Sequence, residues 1–144
     1  MEGKMKLRLK RIQYSKLNPK QKEIYNFQRL SAILAEFGYM TYRLGDDWQG
    51  ADFIAQHVDG KTFIKVQLKG RLHLSEKYCG KDLCTAFPND NYNEWYLFPH
   101  DKLLKKFHNK ARTKGTKLWK GRSFPKLTKD AKELLKPYLI PNLI

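Results

Sequence analysis

Two short runs of alternating character, Ala51 to Val58 and Lys61 to Lys69, flank Asp59-Gly60. Asp-Gly between such runs is the strongest short-range signal for a tight hairpin. A two-residue turn sets Val58 against Lys61 and so places Asp52 directly opposite Gln67. Side chains alternate along a strand, so Asp52, Gln67 and Lys69 share one face while Phe53, Ala55, Ile64, Val66 and Leu68 share the other. Directly opposed Cβ atoms lie about 4.5–5.5 Å apart, close enough for two oxygen-bearing side chains to hold one small cation. An acid, an amide and an amine converging beside an apolar sheet face is a sensible way to build a metal-assisted hydrolytic site.

The segment before the hairpin reads as a helix. Asn18-Pro19 opens it, Pro being tolerated in a first turn, and Gly38 stops it after Phe37. At about 100° per residue, Phe27, Leu30, Leu34 and Phe37 form one apolar stripe, with Glu23 on it and Glu36 pointing away. A carboxylate on a core-facing stripe costs free energy unless it is paired, snorkels or binds a metal. A first-turn acid complementing the helix dipole, with its head in water, is the alternative to a metal role for Glu23.

Tyr39 to Leu44 is β-rich and reads as the first strand, and Gly45 to Gly50 as a loop delivering the chain to Asp52. Asp46 and Asp47 rank below Asp52 because loop aspartates usually serve turns, while Trp48 and Gln49 lie near the proposed site. Ser75 to Asp82 reads as an exposed loop carrying Lys77, Tyr78 and Lys81, and Leu83–Phe87 and Trp95–Phe98 as the remaining strands. A basic helix is expected near Asp101 to Lys110, a glycine-punctuated basic stretch over Lys110 to Lys126 with Trp119 as an anchor, and a last helix from Thr128 to about Lys136. His100 and His108 lack a spacing that would make them catalytic. The aliphatic tail beginning at Pro137 invites burial in the core or at a subunit contact.

Charge narrows the function. The net charge of +15 points to a polyanionic partner, nucleic acid before an acidic membrane. Met1 to Lys22 carries eight basic residues against Glu2, and His100 to Pro137 thirteen against three acids, whereas Glu23 to Pro99 carries eight basic and ten acidic residues. Basic flanks around a mildly acidic centre suit a protein that grips phosphates with its periphery and cations with its middle. The arm alternates Lys4, Lys6, Arg8 and Lys10 with Met5, Leu7 and Leu9, an extended pattern suited to a sheet edge, a DNA groove or a solvated tail. No apolar run is long enough to span a bilayer and no signal core follows the first basic residues, so a cytoplasmic, intracellular protein is expected. Cys79 and Cys84, with His73, lack the second ligand pair of a structural zinc site and read as two small half-buried residues.

Asp52, then fourteen residues, then Gln67-Leu68-Lys69 resembles the PD-(D/E)XK nuclease motif with glutamine in place of the second acid. The wider wording, TYRLGDDWQGADFIA and FIKVQLKGR, resembles the intron-encoded homing endonucleases built on that nuclease fold. The resemblance covers roughly the first two thirds of the chain. It implies an α/β restriction-endonuclease-like core, a mixed sheet with an antiparallel hairpin flanked by helices, and sequence-specific, Mg²⁺-dependent cleavage of double-stranded DNA. Asp52, Gln67 and the Leu68 carbonyl would bind the metal, Glu23 from the preceding helix would restore the missing acid, and Lys69 would act on the attacking water. Residues 1–144 would form one nuclease domain: a basic arm over 1–22, a catalytic core over 23–99 and a basic helical region over 100–144. DNA contacts are expected from Lys6, Arg8, Lys10 and Arg11, from Gln49, Arg71, Lys77 and Lys81, and from Lys110, Arg112, Lys114, Lys117, Lys120 and Arg122. One site per chain and two strands to cut imply a homodimer or a dimer of dimers. A Holliday-junction resolvase or restriction enzyme of the same fold, or a DNA-binding protein with a decayed site, are the alternatives.

Overall fold

The computed structural model describes residues 5–91 and 93–141, with the side chains of 46–48 excepted. Its architecture is α/β. A helix, α1 (Pro19–Glu36), precedes strands β1 (Tyr39–Trp48), β2 (Ala51–His57) and β3 (Phe63–Leu68). A short strand β4 (His73–Ser75) and a 3-10 turn over Glu76–Tyr78 lead to β5 (Leu83–Asn89) and β6 (Glu94–Pro99). Helix α2 (His100–Lys114), strand β7 (Gly121–Ser123) and helix α3 (Lys129–Leu135) complete the order.

The start of α1 follows from its sequence. Asn18 accepts from the Gln21 amide at 2.8 Å while the Gln21 side chain accepts from the Asn18 amide at 2.9 Å, a reciprocal cap ahead of Pro19. Beyond its end Gly38 takes a φ of +84°, and a Cβ there would stand 2.9 Å from His57 Nε2, so only glycine fits.

The main sheet has five strands in the order β1-β2-β3-β5-β6 and is mixed, because β3 and β5 run parallel while the other neighbours are antiparallel. Phe53 pairs with Val66 and Ala55 with Ile64, the register expected from the sequence. The connection is longer than the two residues expected, and both strands are correspondingly shorter. His57 N–H donates to Thr62 at 2.9 Å, so residues 58–61 form the loop, and its Asp59 carboxylate accepts from the Lys61 and Thr62 amides and the Thr62 hydroxyl. A four-residue loop keeps the parity of a two-residue one, so every side chain stays on its expected face. Strand β1 also runs further than expected, through an irregularity between Arg43 and Trp48, where a plain loop was read.

Each face of the sheet carries its own core. Leu30 and Leu34 of α1 pack on Phe53, Ala55, Val66, Ala86 and Trp95. On the other face α2 and α3 press Leu103, Phe107 and Leu135 onto Phe87, Phe98, Leu72 and Leu74. Phe124 and Trp119 join that second cluster, Trp119 as the anchor its sequence context implied. The tail turns inward at Ile140, which is buried and donates its amide to Trp95 O at 2.8 Å, while residues 142–144 lie outside the described residues. Among the described residues no helix is long and apolar enough to cross a membrane.

Candidate metal and phosphate site

The pairing of β2 with β3 runs as far as Phe53, and continuing that register by one residue sets Asp52 against Gln67. Beyond Phe53 the carboxylate of Asp52 takes over from the backbone ladder: the Leu68 amide donates to Asp52 Oδ2 at 2.7 Å. This hydrogen bond fixes the Asp52 carboxylate in place as an oxygen donor.

Gln67 is 3% exposed and lies beside Thr85 of β5. Its Oε1 has no hydrogen-bond partner, and neither has the fully buried Thr85 Oγ1. An unpaired buried acceptor costs about 1–3 kcal/mol. Gly50 closes over this amide with a φ of +90°, and a Cβ there would lie 3.2 Å from Gln67 Nε2 and 3.0 Å from Leu83 Cδ1. The approach of the chain to Gln67 therefore depends on a glycine.

The donor set fits a hard divalent cation. A carboxylate, an amide oxygen lacking any other partner and the neighbouring Leu68 carbonyl are the oxygen types that Mg²⁺ and Ca²⁺ take. Glu23 is not brought to this group. Its carboxylate pairs with Arg43 at 3.3 Å and with Lys20 at 3.9 Å, on the α1 side of the sheet, whereas Asp52 projects from the other side. Of the outcomes open to an acid on that stripe, Glu23 takes the ion pair.

Lys69 follows Gln67 by two residues and runs toward a surface cleft lined with Arg71, His73, Lys77 and Tyr78. Its Nζ lies 3.3 Å from Tyr78 Oη and 5.2 Å from the centre of that ring, and Lys77 Nζ stands 4.9 Å from the same ring. Burial pushes the Tyr78 phenol up, but the hydrogen bond and charge of Lys69, reinforced by Lys77, bring it below its ordinary value. His73 is held below its usual value by burial and then by Lys69, Lys77, His100 and Arg71.

The other expected DNA contacts are scattered. Lys6, Arg8, Lys10 and Arg11 are exposed on an arm without helix or strand, and Gln49 is exposed in a turn with a φ of +53°. Lys81 O holds Lys65 Nζ at 2.7 Å. Lys110 pairs with Asp130 and Glu133, Lys114 with Asp130, and Arg112 bonds Asn109, while Arg122 lies over Phe124. Lys117 and Arg122 line a separate depression beside Trp119, and the Lys120 carbonyl accepts from the Glu76 amide.

Cys79, His100 and Asp101 also approach one another. His100 is nevertheless satisfied on both ring nitrogens: Nε2 accepts from the Ser75 amide at 3.3 Å, and Nδ1 pairs with Asp101 Oδ1 at 2.9 Å. Burial and the nearby Asp101 push the Cys79 thiol up, away from the thiolate a soft metal needs. The cluster reads as a structural tie between the 3-10 turn and α2. Cys84 sits apart from it on β5, opposite Val66.

The sequence reading missed Thr85, Gly50 and the central place of Tyr78. A lone threonine within Leu83–Phe87 was a usable signal for a polar atom inside the sheet. The position of Tyr78 depends on how the chain crosses from β3 to β5, which no local pattern encodes. Comparison of the chain with protein-family models, with curated proteins and with solved structures finds no match.

Proposed function

We propose that this chain is a Mg²⁺-dependent endonuclease that cuts double-stranded DNA at specific sequences, a homing endonuclease with a restriction-endonuclease-like core. The observation that carries this reading is the buried, partnerless Oε1 of Gln67 across the hairpin from the Asp52 carboxylate, with Lys69 two residues on. The motif in the sequence and the excess of basic residues support it.

In this reading Asp52, Gln67 and the Leu68 carbonyl hold the cation, which supplies Lewis-acid polarisation of the scissile phosphate. The Leu68 amide keeps the Asp52 carboxylate oriented. Lys69, on a flexible stem beside the group, orients the attacking water and offsets the charge that builds on the phosphate oxygens. The water oxygen bonds to phosphorus as the bond to the leaving oxygen breaks; the water's proton passes to bulk solvent and the leaving oxygen takes a proton from it. Two copies related by an axis would cut the two strands, as a homodimer or a dimer of dimers.

Incubating the chain with mixed plasmid and genomic DNA, with and without Mg²⁺, tests this. Discrete duplex fragments that require Mg²⁺ are expected; cutting confined to four-way junctions would assign a resolvase instead. A non-catalytic DNA-binding protein is the second reading, favoured by the hydrogen bond that Lys69 makes to Tyr78. DNA binding without cleavage at any metal concentration would support it.

A further inference from the structure

We propose that the cleft of Lys69, Arg71, His73, Lys77 and Tyr78 is a binding site for a backbone phosphodiester of duplex DNA, separate from the scissile phosphate. The anion's identity rests on the nuclease reading; the need for an anion does not. No acid lines this cleft. Some basic side chains elsewhere do meet carboxylates, as Arg43 meets Glu23 and Lys110 meets Asp130 and Glu133. Among the described ion pairs none involves Lys69, Arg71 or Lys77. Like charges gathered without a counter-ion repel one another, so the arrangement is stable in proportion to the anion it accepts.

The cleft is also built rather than incidental. Tyr78 stacks its ring edge-on to His73 at 6.3 Å and to the buried His100 at 5.8 Å, and presents its face to both Lys69 and Lys77. His100 is pinned in turn by the Ser75 amide and by Asp101, whose other oxygen takes the Gly80 amide at 2.9 Å. That carboxylate is thus engaged behind Tyr78 and leaves the cations uncompensated. The depressed His73 basicity reports the same convergence, since Lys69, Lys77, His100 and Arg71 all act on it. Lys69 joins the cleft to the Asp52–Gln67 pair, so a phosphate seated here would fix the position of the strand along the metal site. Such contacts position the duplex and carry no sequence information.

The test is the NMR titration of the His73 ring, assigned with His73→Gln, in full-length protein with chelator present. A short duplex of arbitrary sequence should move the His73 resonances and raise its pKa, because a bound anion cancels the surrounding cations. Arg71→Ala and Lys77→Ala should each reduce the salt slope of duplex binding by about 1 in the log-log plot. Millimolar inorganic phosphate, which lacks the neighbouring phosphates of a duplex, should shift His73 less than the duplex does. A duplex that binds without shifting His73, or a His73 that answers to inorganic phosphate and not to duplex, overturns the assignment. With no metal present the outcome is independent of cleavage, so a failed nuclease assay and a failed cleft are told apart.

Discussion

The amide of Leu68 donates to Asp52 Oδ2 at 2.7 Å, so the acid at the second position of β2 is held by the strand that carries Gln67 and ends just before Lys69. One hydrogen bond thereby couples the end of the hairpin to the order of the candidate site. Asp52→Ala should lose cleavage and also destabilise the fold by about 1–3 kcal/mol, because the part-buried amide is left without its partner. Asp52→Asn keeps an acceptor and should lose cleavage with a smaller change in stability. Chemical denaturation of the two variants beside the native chain checks this.

Gln67→Glu separates metal affinity from metal-free stability. The substitution puts a carboxylate where the amide is 3% exposed, so without metal the melting temperature should fall. With Mg²⁺ the added charge should tighten binding, and the stabilisation on adding metal should exceed that of the native chain. Differential scanning calorimetry across a Mg²⁺ series reads both effects.

Gly50→Ala should damage the site without replacing a proposed ligand. At a φ of +90° a side chain is strained, and its Cβ would press on Leu83, Gln67 and Tyr78. The expected loss is on the order of 1–3 kcal/mol, with weakened metal response in the protein that remains folded. A native melting temperature would show that the turn over Gln67 does not need glycine.

The hairpin loop carries a pH signature. Three hydrogen bonds from Lys61 and Thr62 lower the Asp59 carboxyl to about 2, from 3.8. A depressed acid contributes stability above its unfolded value and loses it as pH falls through the folded one, so the contribution fades between about pH 4 and pH 2. Asp59→Ala should flatten the acid limb of stability in that window and leave neutral-pH DNA binding unchanged.

How much of this was legible in the sequence depends on how local each feature is. The pairing of Phe53 with Val66 followed from Asp-Gly and alternation, and it survived an error in loop length because a change of two residues preserves parity. Glu23 shows the limit of a helical wheel. The wheel placed it on the apolar stripe, but its partner Arg43 comes from β1, twenty residues away, and half of the glutamate side chain stays in solvent. Thr85 and Tyr78 reach the site only because β5 runs parallel to β3, which requires the crossover through β4 and the 3-10 turn. Nothing in a single strand's pattern specifies that contact.

The most direct measurement compares Mg²⁺-dependent cleavage of a randomised-sequence plasmid library by the native chain, Asp52→Asn and Lys69→Ala, with DNA binding followed in parallel. The account predicts discrete cuts by the native chain that vanish on chelation and in both variants, while binding persists in all three. Cleavage that survives Asp52→Asn, or binding by the native chain with no cleavage of the library, would contradict it.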